Sequence, residues 1–267
     1  MVAEFRCLIA LAIQYQYFSG DWDAMECVEE AIVLKTRPYG EKNAITSLFM
    51  GSYGRSAGFT RSGHTARMRA ILQPGNRVHA HWRGRLAEHL GTVSCKLLRA
   101  DATCLFADQE RLTCLAAACA MVEATLPERV PYPVIFATLE ALIWALITGQ
   151  PGWEIAYVRW EMTLIAELGY SLDRRGQEEA VLRCSSPQPA YVLLRTGQVI
   201  SMPRQGEEGW RLLSFLEESK ANVTITPADI AHVLRLTSHF LRHYLFIRLP
   251  KARRDLAAQC GVVDAAE

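Results

Sequence analysis

Acidic residues nearly vanish from one long stretch of this 267-residue chain. Between Val33 and Arg99 only Glu41 and Glu88 occur, against 12 Lys and Arg. Paired cysteine spacing is missing as well. The eight cysteines, at 7, 27, 95, 104, 114, 119, 184 and 260, contain no CxxC. Neither a disulfide framework nor a zinc-binding pattern is written there, and the thiols read as reduced ones suited to the cytosol. No GxxxxGK[ST] loop occurs, so a P-loop ATPase has no phosphate cradle. Long apolar runs are scarce too. "CLIALAI" near the start is far too short to span a bilayer. The 18-residue run "YPVIFATLEALIWALITG" (132–149) approaches that length but carries Glu140, which favours the buried centre of a helical bundle.

What is present is uneven. Half the residues are hydrophobic, enough for a full-sized core, and the formal net charge is only +1. That small value hides an asymmetry: Met25–Ala102 carries a surplus of six positive charges, and the rest, from Thr103 on, a deficit of three. A basic module precedes a mildly acidic one, and such a field favours a polyanion. The first 24 residues stand apart. Their apolar segment is broken by Gln14 and Gln16, lacks a clear cleavage site and is followed at Met25 by strand-like sequence. Residues 1–24 are therefore expected to be a start-site extension outside the fold. Intact-mass analysis of natively expressed protein should find the N-terminus at Met25; a mature N-terminus at Met1 overturns this.

Five short strand patterns fill the basic module: 27–37, 44–50, 56–61, 77–85 and 92–100, punctuated by "PYG", "GSYGR", the Gly/Arg-rich connection 62–76, and Gly91. No crossover helix separates them, which predicts a small antiparallel barrel or sandwich. Helical spacing then takes over at 108–128, 132–149 and 153–169. Residues 170–205 hold at most a short hairpin ("AYVLLRTGQVIS"). Helices are expected again over 207–219 and 227–247, the latter with Pro227 at its first position. The fold class is thus α+β in two domains: a five-stranded barrel at 25–102 and an all-α helical bundle at 103–254. Residues 174–205 form an irregular insert in the bundle, and 255–267 a C-terminal tail.

Small barrels with basic loops bind single strands by tracking the backbone with charge and stacking bases on aromatics. The cations here are Lys35, Arg37, Lys42, Arg55, Arg61, Arg67, Arg69, Arg83 and Arg85. Tyr39, Phe59 and Trp82 are the aromatic candidates, although Phe59 and Trp82 are read first as filling the barrel.

The string "EAIVLKTRPYGEKNAITSLFMGSYGRSAGFTRSG", followed by "LQPG", "WRGR" and "LGT", resembles the N-terminal domain of the RecO family of bacterial recombinational-repair mediators. "ELGYSLD" (167–173) and "LRLTSHFLRHYL" (234–245) extend the likeness into the helical part. The resemblance implies an oligonucleotide/oligosaccharide-binding (OB) barrel followed by a helical domain, and no enzymatic activity. It implies binding of single- and double-stranded DNA, annealing of complementary strands, and work with RecR in loading recombinase onto DNA coated with single-strand-binding protein. RecF and RecA would be indirect partners, and the setting the nucleoid of the bacterial cytoplasm, with no membrane partner. Arg37, Lys42, Arg55, Arg61, Arg67 and Arg69 match the family's basic strand-and-loop positions. The acidic C-terminal tail of single-strand-binding protein would enter an apolar pocket, with helices 132–149 and 153–169 the expected source and Arg159 and Trp160 candidate members. Many members carry a zinc-binding cysteine cluster after the "LGY" helix. This chain keeps only Cys184 there, one thiolate where a closed zinc site needs four ligands, so neither metal nor cofactor is expected.

Other candidates are weaker. His239 and His243 have a two-histidine metal spacing, but no acid stands between them to act as base. His79 and His81 lack a third ligand, Cys114 and Cys119 suit packing among alanines, and Ser62 with His64 has no placed acid. The alternatives are a protein-interaction adaptor and an RNA-binding OB-fold protein.

Overall fold

The computed structural model describes residues 25–84, 90–169, 190–193, 199–200, 209–212, 226–243 and 247–262. Residues 1–24, Arg85, most of 170–225 including Cys184, and the last five residues lie outside them. The chain groups into two compact units, Met1–Trp153 and Glu154–Glu267.

The first unit begins with strands β1 (Met25–Tyr39), β2 (Asn43–Met50) and β3 (Gly54–Thr60), helix α1 (Ala66–Ile71), and strands β4 (Arg77–Gly84) and β5 (Gly91–Arg99). The strands close into a barrel in the order β1-β2-β3-β5-β4, the connectivity of an OB fold. β1 makes closure possible because it is long. Its first half pairs with β4, from Met25↔Gly84 to Ile32↔Arg77. Its second half pairs with β2, with a register shift between Val33 and Lys35 that lets the strand bend around the barrel. All pairs are antiparallel except the closing one, where β3 meets β5 in parallel at Gly58↔Gly91 and Phe59↔Thr92. The expected purely antiparallel arrangement fails only there.

Alternate residues point inward, as the two-residue period of a strand requires. Ala31, Val33, Leu48, Met50, Val78, Ala80, Trp82 and Val93 fill the barrel. Trp82 is fully buried, and its indole N–H donates to the Ala57 carbonyl at 3.0 Å. Its ring lies so close to Gly91 that a Cβ there would overlap it. Trp82 is therefore a core residue and no platform for a base.

Helices α2 (Asp101–Cys104), α3 (Gln109–Thr125) and α4 (Pro133–Ile147) complete the unit. Asp108 caps α3 by accepting from the Arg111 N–H at 3.1 Å. Cys114 and Cys119 are buried on α3, where burial pushes the Cys119 thiol up to about 12. α4 is not the buried centre of a bundle, as the sequence suggested. One face (Ile135, Leu139, Leu142, Ile143, Leu146) is buried, whereas Val134 and Trp144 are 45% and 53% exposed. Phe136 on that helix meets Phe49 of β2 edge-on, at 5.4 Å between centroids.

The second unit contains α5 (Trp153–Glu167), strands β6 (Ala190–Leu193), β7 (Val199–Ile200) and β8 (Gly209–Leu212), and helices α6 (Pro227–His243) and α7 (Lys251–Gln259). The predicted hairpin at 190–201 forms as β6–β7. The helix expected over 207–219 does not form at 209–212. That segment is a strand paired with β6, and cross-strand pairing there overrides a weak helical pattern. The helical region thus contains a small sheet, and α7 runs through the expected start of the tail. Thr226 and Asp229 cap α6 reciprocally: the Thr226 N–H donates to Asp229 at 2.9 Å, and the Asp229 N–H to the Thr226 hydroxyl at 3.3 Å. Among the described residues no helix is long and apolar enough to cross a membrane.

A buried ion pair joins α5, α6 and α7. Arg253 donates to Glu161 through Nε at 2.5 Å and Nη2 at 2.8 Å, and both side chains are fully buried. Tyr157 and Thr237 donate to the same carboxylate at 3.0 and 2.6 Å. Burial pulls the Arg253 pKa down, but the attraction of Glu161 outweighs it and the net shift is upward. Glu161→Gln leaves an uncompensated buried charge and should cost about 3–5 kcal/mol in urea unfolding. Adding Arg253→Gln should recover part of that loss; equal cost for the single and double variants would refute the charge-pairing account.

Candidate nucleic-acid interface

The outward face of the barrel divides along its strands. At one end helices cover it. Ser47 and Phe49, which point outward from β2, are buried, and Ser47 donates to Glu123 of α3. Arg55, outward on β3, is held there too. Its Nε donates to the Leu126 carbonyl at 2.8 Å, and Nη1 lies 3.2 Å from Glu128 and 3.5 Å from Glu123. The Arg129 N–H donates to the Arg55 carbonyl at 2.8 Å, and the Arg129 guanidinium lies 5.0 Å from the Trp82 ring centre. Gly54, with φ +75, begins this strand where any Cβ would run into the Val130 carbonyl. Arg77, at the start of β4, pairs with Glu30 at 3.4 Å and with Glu140 of α4. Burial lowers the Arg77 pKa, with Glu30 pulling it back up.

At the other end the face is open. Strand register sets five outward residues in one row across the barrel: Arg37 opposite Ile45, Ile45 opposite Phe59, Phe59 opposite Thr92, and Thr92 opposite Arg83. Arg37, Thr92 and Arg83 are exposed, and Ile45 and Phe59 are half-buried. The row spans four strand spacings, about 19 Å along the surface. Because it crosses every strand of the closed barrel it curves around the surface, with a cation at each end and an apolar patch in the middle. Tyr39, two residues beyond Arg37 and on the same face, is 58% exposed and meets Phe59 edge-on at 6.0 Å.

Neighbouring turns add charge. Lys42 is exposed in the β1–β2 turn, and its carbonyl accepts from the His64 N–H at 2.9 Å. The Ser62 N–H donates to the Asn43 side chain at 3.0 Å, so the segment carrying Arg61 is fastened to that turn. Arg67 and Arg69 are exposed on α1, a short helix inside the stretch read from sequence as a connection. The Thr36 hydroxyl, donating to the Leu72 carbonyl at 3.0 Å, ties the end of α1 to β1. Acids are sparse but not absent: Glu41 shares the turn with Lys42, and Glu26 stands opposite Arg83 while bonding His81.

The structure thus brings together Arg37, Lys42 and Arg61, with Lys35 exposed two residues before Arg37 and Arg83 at the far end of the row. Arg55 is the exception. Its guanidinium is taken up by α3 and the segment after it, so it is a fastening of the helices to the barrel, not an open cation. Arg85 lies outside the described residues. In the second unit Arg159 is exposed, but Trp160 is only 3% exposed and packs beside Tyr157, so its indole is not on a surface that a partner meets. Two outward residues escaped the sequence reading: Ile45, which the pattern of "NAITSLFM" does not mark because apolar residues fall on both sides of that strand, and Lys96, exposed on β5 opposite His79. Among the described residues no group of three or more His, Cys, Asp or Glu could hold a metal ion.

A closed OB barrel with an open cationic row, continued by helices, defines a two-part OB-fold protein. Residues 25–100 match the family model described as "Recombination protein O N terminal" and residues 107–253 that described as "Recombination protein O C terminal". The DNA repair protein RecO of Rhodospirillum centenum is 41% identical over 222 residues, covering 83% of this chain and 88% of that protein. Those of Rhodospirillum rubrum and Gluconacetobacter diazotrophicus are each 38% identical, over 83% and 87% of this chain and 89% and 94% of their own lengths. The chain belongs to the RecO family.

Arg55→Ala should lower stability by about 2 kcal/mol, through loss of a charged hydrogen bond to a carbonyl and of its carboxylate partners. Its affinity for an oligonucleotide, measured well below the melting temperature, should stay within twofold of the parent. A tenfold loss of affinity at unchanged stability would return Arg55 to the binding surface.

Proposed function

We propose that this chain is a DNA repair and recombination mediator that binds single- and double-stranded DNA through the open face of its barrel. It anneals complementary strands and helps load recombinase onto DNA coated with single-strand-binding protein. The observation that carries this reading is the row from Arg37 to Arg83, with Lys42 and Arg61 beside it. Phosphate neutralisation explains annealing without any catalytic residue. Cations that cover phosphates reduce the repulsion between two strands, and a surface holding both raises their effective concentration. Family membership supports RecR and the acidic tail of single-strand-binding protein as partners, RecF and RecA as indirect ones, and the bacterial nucleoid as the place of action.

The deciding experiment follows annealing of two complementary fluorescent oligonucleotides, naked or coated with the cognate single-strand-binding protein, across a salt series. The full chain should accelerate both reactions, and salt should weaken both steeply. Replacing Arg37, Lys42 and Arg61 together with Ala should reduce the slope of log affinity against log salt for single strands by about 2. Unchanged affinity and slope would remove the barrel face from the reading. Annealing of naked but not coated strands would remove the partner function alone, and equal competition by a matched RNA would favour an RNA-binding role.

A further inference from the structure

The proposed binding face contains more than charge, and the inference drawn from it rests on that reading. Phosphates need only cations, yet the middle of the row is apolar. Phe59 and Ile45 are neighbours on adjacent strands, and Tyr39 is 58% exposed at the edge of the same patch. The Tyr39 and Phe59 rings meet at 90° with centroids 6.0 Å apart. In that edge-on arrangement one ring turns its edge to the other, so the exposed Tyr39 ring is not covered by a parallel neighbour. The Tyr39 backbone is held in the sheet, since it pairs with Asn43 across the β1–β2 turn and Arg37 pairs with Ile45 two residues earlier. An exposed tyrosine ring backed by Phe59 and set near Arg37 and Lys42 has the chemistry of a base-stacking platform: flat π-surface for the base, guanidinium or ammonium for the flanking phosphates.

We infer that an unpaired nucleobase stacks on the more exposed ring, Tyr39, with Phe59 meeting the stack from the side, making this patch the element that distinguishes a single strand from a duplex. In a duplex the bases are already stacked on one another, and only the phosphates are offered to Arg37, Lys42 and Arg61. In a single strand a base can turn outward and leave water for the aromatic patch while its phosphates keep the same cations. Stacking of this kind tolerates any base, so the patch should carry little sequence preference.

The test compares Tyr39→Ala, Tyr39→Phe and Arg37→Ala in the full chain, using a single-stranded oligonucleotide containing 2-aminopurine and a duplex of the same sequence. Tyr39→Ala should weaken single-strand binding about tenfold, the scale of one lost stack, with the salt slope and duplex affinity unchanged. Tyr39→Phe should bind like the parent, and the 2-aminopurine quenching seen with the parent should disappear in Tyr39→Ala. Equal loss on single strand and duplex, or unaltered quenching, would overturn the inference. Arg37→Ala separates the two levels. If it weakens both ligands while Tyr39→Ala changes neither, the stacking role fails and the binding face stands. If neither variant alters binding, the face itself fails.

Discussion

One strand has to serve two masters. β2 is buried on both sides from Thr46 to Met50, with the barrel interior on one side and the α3–α4 layer on the other. At Asn43 and Ile45 the helical cover ends and the outer side opens. Everything else in the first unit follows from where that change occurs. Outward arginines under the helices must find carboxylates, because an unpaired charge there would be desolvated without compensation. Arg55 and Arg77 do so with Glu123, Glu128, Glu30 and Glu140. Outward arginines beyond the cover meet water and need no such partner.

The energetic division follows the same line. Each fully buried aliphatic side chain of the barrel contributes about 1.5–3 kcal/mol, whereas a surface ion pair rarely exceeds about 1 kcal/mol. The barrel therefore holds together through Val33, Leu48, Met50, Val78 and Trp82. Its exposed cations are not needed for folding, which leaves them available for a ligand. Like charges crowded on one face repel, but between exposed, hydrated side chains that repulsion is weakened at physiological ionic strength.

Much of this was legible in the chain. The period-two alternation of "RVHAHWRG" gave β4 with its inward Val78, Ala80 and Trp82, and the surplus of Lys and Arg marked the basic module. Register was not legible, because a row such as Arg37–Ile45–Phe59–Thr92–Arg83 depends on which strands pair and on a bulge inside β1. Sequence treats Arg37 and Arg55 alike; only the helical layer, docked from some seventy residues further along, tells them apart. For α4 the even spread of apolar residues hid which face would remain outside. The strand at 209–212 depends on a partner some twenty residues away, a relation that local propensity does not report.

The Glu161–Arg253 pair has a bearing on experiments with polyanions. Small ions in solution weaken a charge pair only where they can approach it, and both of these side chains have no exposed surface. High ionic strength that strips a nucleic acid from the barrel's exposed cations leaves this interior pair unshielded. Bound and folded fractions of the protein should therefore respond to added salt as separate quantities, so that a protein released from its ligand by salt remains a folded one.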